Sequence, residues 1–355
     1  MSVVLIAKRA GVSIATVSRV MTNSRRVQPE IADRVRSAIQ ELGIPTRQVR
    51  NRQRRSDSAR SVKTIGIITL TREYRAWFAD PVIAAFVAEV TRAASEQHVG
   101  LLLAEMPDPK TICRAVEQKQ MDGALMLIPS EADRDVADTL KQRLPVVRVM
   151  GAQLGPTPTD HVTCDHVAIG YLAGKYLIEK GCKELAFITL NPAWSYCQLR
   201  AHGFFSAADD RGADNRGMNA QISARAYFPV SEYPVDHSYG AMAVTGADWS
   251  EVMKQLVARR PTGLFVARDA ELNQVYRMLA GSGITPQKDI QVISCDNCDA
   301  LLNHFEARPA AIDLSLAEIA RTAVSRLMTR IDHPDEPVLR MLVNPKLVPP
   351  PDAIA

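Results

Sequence analysis

The chain has no uninterrupted apolar run of about 18 residues, so no membrane-spanning helix is expected. Six cysteines (113, 164, 182, 197, 295, 298) over 355 residues are too sparse for a disulfide framework. Cys295-x-x-Cys298 lacks a second ligand pair, and zinc needs four ligands. The group His161, Cys164, Asp165 and His166 straddles a strand end, where successive side chains point to opposite faces, so no metal is expected there either. No Ser/His/Asp arrangement, nucleophile elbow, Walker loop or GxGxxG occurs, which leaves catalysis and cofactors without a candidate. The opening "MSVVLIAKRAG" has too short an apolar run for an export signal, and a cytoplasmic, nucleoid-associated protein is expected.

Acidic residues are scarce in one place only. Residues 1–60 carry 13 Lys/Arg against 4 Asp/Glu, a balance of +9, while the remainder stands at −5 within the overall +4. A basic head on a mildly acidic body points to a polyanion as the partner of the head. A disordered basic tail would lack apolar periodicity, and this head has it.

Three helices can be read in the head. Val3, Ile6, Ala7 and Ala10 keep helical spacing up to Gly11, which can take the left-handed conformation that ends a helix. Ser13 is the N-cap candidate of a second helix running to about Thr22. Val17, Val20 and Met21 form its inward stripe, leaving Ile14, Ala15, Ser18, Arg19 and Thr22 outward. After Pro29 a third helix places Ile31, Val35, Ile39 and Leu42 on one face before Gly43. Two short helices joined by a tight turn and braced by a third describe a helix-turn-helix, whose second helix enters the major groove. Ile14 and Ala15 suit contact with a thymine methyl, and Arg19 can pair with guanine O6 and N7. Ser13, Thr16, Ser18 and Asn23 are short polar groups suited to phosphate oxygens, and Val27 closes the DNA-facing set.

"AGVSIATVSRVM" followed by "VQPEIADRVRSAIQELG" resembles the DNA-binding head of the lactose-repressor (LacI/GalR) family of bacterial transcription regulators. Leu5 stands where the family usually has Asp, and "IPT" is one residue shorter than the usual Tyr-x-Pro-Asn. The resemblance implies that residues 46–63 form a hinge helix on operator DNA, with a Leu wedge from each of two subunits in the minor groove. Val49 and Arg50 match the family's Ala-Arg, but Arg52 takes the Leu position. An Arg can enter a narrow A·T-rich groove but cannot unstack a base step, so weaker bending is expected. Without a hinge helix the same residues read as a charged linker.

From residue 64 the period changes. "TIGIITL", "GLLLAEM", "DGALMLIP", "PVVRVM", "ELAFITL", "TGLFVA" and "IQVISC" read as buried strands. They alternate with amphipathic stretches at 80–98, 110–120, 131–143, 167–180, 197–211, 248–259 and 270–282. This is the pattern of doubly wound parallel sheets, and about 290 residues call for two of them. The body also resembles the family's effector domain, which implies a periplasmic-binding-protein-like fold of two lobes joined by three crossings with a ligand in the cleft. The expected division is 1–45 helix-turn-helix, 46–63 hinge and 64–355 effector-binding and dimerisation domain. Within the last, lobe 1 would take about 64–165 and 298–329, and lobe 2 about 166–297 and 330–355; the stretch 213–246 has no assignment.

The resemblance implies effector contacts at Asp165, Arg200, Asp269 and Asp296, with Trp77 and Phe78 as aromatics against the ligand. Such a set suits a sugar: carboxylates and Arg bond vicinal hydroxyls, and an aromatic covers the ring face. Arg268 replaces the family's usual Asn, which suggests either an acidic or phosphorylated effector or a neutralising partner for Asp269. "RPAAID" stands where the family has "PPLTT". The expected protein is a homodimeric, sequence-specific repressor of operator DNA modulated by a carbohydrate-like effector, with no membrane partner and no enzymatic activity. The alternative is an effector-independent DNA-binding protein with a degenerate cleft.

Overall fold

The computed structural model describes residues 2–21, 27–42, 62–70, 79–106, 108, 110–127, 134–152, 158–190, 192, 194–214, 222–228, 243–245 and 249–351. They fall into two compact units, Met1–Lys63 and Thr64–Ala355.

Among the described residues the first unit holds three helices: α1 (Ser2–Ala10), α2 (Ile14–Met21) and α3 (Pro29–Glu41). Ile6, Ala7, Ala10, Val17, Val35, Ala38 and Ile39 form its buried core, as their helical spacing requires. Gly11 takes φ +63°, and the Val12 N–H donates to the Ala7 carbonyl at 3.1 Å, closing the turn between α1 and α2. The Arg34 guanidinium donates to the Ala10 carbonyl at 2.7 Å, satisfying one of the end carbonyls of α1 that has no intrahelical partner. Leu42, expected on the inward stripe, is instead 37% exposed. The helix ends at Glu41, so the 3.6-residue period no longer carries Leu42 inward. The Met21 side chain lies outside the described residues.

The second unit holds two sheets. The first contains β1 (Thr64–Leu70), β2 (Gly100–Met106), β3 (Gly123–Leu127), β4 (Val146–Val149), β5 (Asp160–Cys164) and β12 (Arg340–Val343), in the order β12-β5-β4-β3-β1-β2 and parallel throughout. The second contains β6 (Glu184–Ile188), β7 (Ser223–Phe228), β8 (Ala243–Thr245), β9 (Gly263–Val266), β10 (Gln291–Asp296), β11 (Ala310–Asp313) and β13 (Lys346–Val348), in the order β13-β11-β10-β9-β6-β7-β8. Among the described residues only the β11–β13 pair is antiparallel. Strands β3, β4 and β5 are buried at every position; this explains the continuous apolar sequence of β3, while β4 and β5 bury polar side chains as well, Arg148, Asp160, His161 and Thr163.

The connecting helices are α4 (Pro81–Glu96), α5 (Arg114–Glu117), α6 (Arg134–Lys141), α7 (His166–Glu179), α8 (Ser195–Asp214), α9 (Trp249–Arg259), α10 (Asp269–Gly281), α11 (Asp299–Leu302) and α12 (Leu316–Asp332). Helices α7 and α8 lie backbone to backbone. A Cβ on Gly170 would stand 1.8 Å from the Arg200 carbonyl oxygen, and one on Gly203 would stand 1.9 Å from that of Val167.

The chain crosses between lobes three times, and two crossings differ from the sequence expectation. The first, at Cys164–Asp165 between β5 and α7, lies where expected. The second falls between β11 and α12 rather than after Asn297, because "AAID" is a strand paired in register with β10. Two alanines, one isoleucine and an aspartate inside what reads as a degraded motif give no strand signal. The third falls at Asn344–Pro345, between β12 and β13, rather than near residue 330. Helix α12 packs on α4 and on β3–β5 of lobe 1, and β12 then pairs with β5 there. Lobe 1 therefore takes the described residues of 64–164 and 316–343, and lobe 2 those of 165–313 and 346–351. The unassigned stretch contributes β7 and β8 to the edge of the second sheet. No helix among the described residues is long and apolar enough to cross a membrane.

Candidate functional site

In the head, the Ser13 hydroxyl caps α2: it accepts from the Thr16 N–H at 3.1 Å and lies 2.9 Å from the Thr16 hydroxyl. Both hydroxyls are thus engaged at the helix start, which orients them there. Ile14 is 54% exposed, Ala15 and Arg19 are exposed beside it, and Val17 is buried on the opposite face. An uncharged, partly apolar helix start with one Arg a turn later is what a major groove accepts. Val27 is half-buried just before α3. The Ser18 side chain, Asn23, Arg50 and Arg52 lie outside the described residues.

In the body, parallel strands end at the cleft between the lobes, and the loops after them carry its polar groups. Arg200, on α8, is almost fully buried. Its guanidinium donates to the Ala267 carbonyl, lies 3.4 Å from Asp296 Oδ1 and stacks 5.1 Å from the Tyr196 ring centroid. Asp296 closes β10 with φ +117°, and Asn297 follows with φ +54°. A left-handed backbone on two consecutive non-glycine residues stores strain of the kind that persists at binding sites. Asp296 Oδ2 is buried without a hydrogen-bond partner among the described residues. Burial pushes its carboxyl up, against the pull of Arg200 and Arg268.

Arg268 precedes α10 and reaches the other lobe. Its Nη2 donates to Asp80 Oδ2 at 2.7 Å, and its guanidinium lies 5.0 Å from the Trp194 ring centroid. Asp80 caps α4 with its other oxygen, accepting from the Val82 N–H at 2.9 Å. Of the two readings offered for Arg268, pairing with Asp269 is therefore not what the structure shows. Asp269 accepts from the Ser294 hydroxyl at 2.5 Å and from the Cys298 N–H at 2.7 Å, so both oxygens serve the packing of α10 against β10 and α11. Burial, with Asp296 nearby, pushes its carboxyl up to about 8.

Asp165 stands apart from this cluster. It caps α7, accepting from the Ala168 N–H at 2.9 Å, and lines a groove of about 490 Å³ with Tyr171, Asn344 and Pro345. The next residue, His166, is buried with Nε2 3.1 Å from the Gly151 carbonyl and its ring 5.5 Å from Tyr196. Burial and the Arg200 charge keep it neutral. Trp77 and Phe78 lie outside the described residues. The sequence reading missed Asp80, Trp194 and Tyr196. The signal was present: in a chain with 5% aromatics, "WSYCQLR" brings two of them within six residues of Arg200.

Comparison with known proteins agrees with both units. The sequence profile of "Bacterial regulatory proteins, lacI family" matches residues 6–44. That of "Periplasmic binding proteins and sugar binding domain of LacI family" matches 64–223, and a "Periplasmic binding protein-like domain" matches 175–349. The chain is 28% identical over 352 residues to the transcriptional repressor PurR of Mannheimia succiniciproducens, covering 97% of this chain and 96% of that protein. It is 26% identical to the ribose operon repressor of Haemophilus influenzae over 350 residues, with the same coverage of each. Its fold superposes on the lac repressor dimer bound to operator and the anti-inducer ONPF with TM-score 0.62 at 20% identity, over 97% of this chain and 96% of that one. The transcriptional regulator CelR in complex with cellobiose gives TM-score 0.62 at 22% identity, over 98% of each chain. With a three-helix head that presents Ile14, Ala15 and Arg19, and a two-lobed body matched by the family's sugar-binding-domain profile, the chain belongs to the LacI family of bacterial regulatory proteins.

Proposed function

We propose that this DNA-binding transcription regulator acts as a homodimeric repressor in the cytoplasm, its operator affinity set by a carbohydrate-like effector held between the two lobes. The observation that carries the reading is the exposed start of α2: Ile14, Ala15 and Arg19 on a helix capped by Ser13 and braced by α3. A twofold dimer presents two such helices to a pseudo-palindromic site. The effector contacts are Arg200 and Asp296 in the cleft, with Arg268 and Asp80 facing each other across it. Asp165 at the first crossing, Asp269 behind the cluster, and Trp77 and Phe78 complete the proposed set. A coupling of about 1–3 kcal/mol between effector and operator makes such a switch useful. Arg50 and Arg52 add minor-groove contacts, and Arg52→Leu is expected to increase operator bending.

The test is operator selection from randomised duplex DNA at fixed salt. Enrichment of two related half-sites supports the reading. Binding without enrichment, with affinity falling steeply as salt rises, overturns it in favour of phosphate contacts alone.

The Asp80–Arg268 pair also favours a second reading, an effector-independent regulator whose cleft is bridged by its own side chains. A thermal-shift screen separates the two, because a ligand at 100-fold its Kd adds about 2.7 kcal/mol of stability.

A further inference from the structure

We infer that the Arg268 guanidinium is an anion subsite, filled in the free chain by the Asp80 carboxylate and open to the carboxylate or phosphate ester of an acidic effector. The inference rests on the interlobe-effector reading above and names the chemical class of that ligand.

The argument turns on which acids are already committed. In lobe 2, Asp269 has both oxygens bonded to Ser294 and Cys298, Asp296 gives Oδ1 to Arg200, and Glu271 accepts from the Thr189 hydroxyl. Among the described residues the one carboxylate bonded to Arg268 comes from lobe 1. Arg268 itself is largely buried, with 14% of its side chain exposed, and is seated on the Trp194 ring.

When the lobes part to admit a ligand, Asp80 leaves with lobe 1, where its other oxygen still caps α4. Arg268 stays on the indole without a hydrogen-bonded counter-charge, balanced only through space by Asp296 and Glu271 of its own lobe, and a largely buried cation that has lost its directly paired anion is unfavourable. A ligand carboxylate or phosphate restores the missing pair, and the planar guanidinium fork suits both groups. A neutral hydroxyl supplies an acceptor but no counter-charge, and it cannot take both arms of the guanidinium fork. Once bound, the acid faces Asp80 as a like charge, so it opposes reclosure of the lobes and competes directly with the internal carboxylate.

The test uses the full chain, with gluconate, glucose 6-phosphate, inorganic phosphate and neutral glucose titrated by thermal shift at constant ionic strength. Asp80→Asn keeps an N-cap on α4 but removes the competing charge; Arg268→Asn removes the subsite. Anions are expected to bind Asp80→Asn about tenfold more tightly than the wild-type chain, and to lose at least that factor in Arg268→Asn. Glucose is expected to respond to either substitution by much less than the anions do. The relative binding of gluconate and glucose 6-phosphate tells carboxylate from phosphate ester. The inference is overturned if no anion binds Asp80→Asn, if Arg268→Asn binds anions unchanged, or if removing Asp80 leaves affinity as it was. Operator binding is followed in parallel. A neutral sugar that shifts it while the acids do not sinks this inference and leaves the effector reading intact. Acids that bind without shifting it sink the effector reading and leave the subsite standing.

Discussion

Arg330 and Asp160 clasp each other in two contacts, Nε to Oδ2 at 2.8 Å and Nη2 to Oδ1 at 3.2 Å, although 170 residues separate them in the chain. Arg326 adds a contact of 3.1 Å to the same carboxylate, and the Leu339 N–H donates to it at 2.7 Å. Helix α12 is thereby fastened to the start of β5, where the chain prepares to leave lobe 1. Burial alone would raise the Asp160 carboxyl, but the bonds from Arg330, Leu339 and Arg326 outweigh it and hold it below the usual range. A depressed folded pKa contributes stability that is present above the unfolded value, near 3.8, and lost as pH falls through the folded value. Arg330→Met is expected to cost about 3 kcal/mol in urea unfolding at neutral pH, since it leaves a buried carboxylate short of a partner. Asp160→Asn is expected to remove the loss of stability in acid, and an unchanged acid limb would refute the assignment.

Asp269 has the opposite sign. Its folded pKa, about 8, lies above the unfolded value of 3.8, so the folded chain binds the extra proton. Its contribution is complete below the unfolded pKa and declines as pH rises through about 8. Asp269→Asn keeps an oxygen for the Cys298 N–H and is expected to flatten the stability profile between about pH 4 and 8. Denaturant melts across that range decide it: a wild-type slope retained in the variant would show that another group titrates.

Gly170 is expected to tolerate no side chain. Its Cβ would fall 1.8 Å from the Arg200 carbonyl oxygen, so Gly170→Ala must separate α7 from α8 and carry Arg200 out of the cleft. A loss of about 3 kcal/mol or more is expected, at the upper end for overpacking against backbone. Gly281→Ala is the control. Its Cβ meets nothing within 4 Å, and a neutral or slightly raised melting temperature is expected there. Equal melting temperatures for the two variants would contradict the close packing.

The head separates stability from reading. Ser13→Ala loses the cap of α2 and is expected to lower head stability by about 1 kcal/mol, measured by thermal unfolding. Arg19→Ala, on the exposed face, is expected to weaken the selected operator by about 1–3 kcal/mol and to relax preference at one base pair. A uniform loss across all sequences would assign Arg19 to phosphate instead.

Much of the molecule was readable in one dimension because the forces that set it are local. The 3.6-residue spacing of Ile6, Val17, Val35 and Ile39 specifies three helices with one buried face. The runs from "TIGIITL" to "IQVISC" specify strands, most of them buried on both sides, since continuous apolar sequence in a chain of this composition has few other stable places; β2, at the sheet edge, is instead mostly half-buried, with Leu103 exposed. Other elements lacked that signal. β11 is four residues long. Helix α12 was passed over although Ile319, Ala323, Val324 and Leu327 share a face. The second crossing was misplaced because β11 gave no strand signal, and the third because β12, which pairs with β5, was not read as a strand of lobe 1. The pairing of charges is a different matter. Sequence alone names Arg200, Arg268, Asp269 and Asp296 as polar groups at strand ends and leaves their partners open, because Coulomb energy depends on separation in space and on burial. Only the tertiary structure decides that Arg200 takes Asp296, that Asp269 turns to Ser294 and Cys298, and that Arg268 finds its counter-charge at Asp80, 188 residues away on the facing lobe.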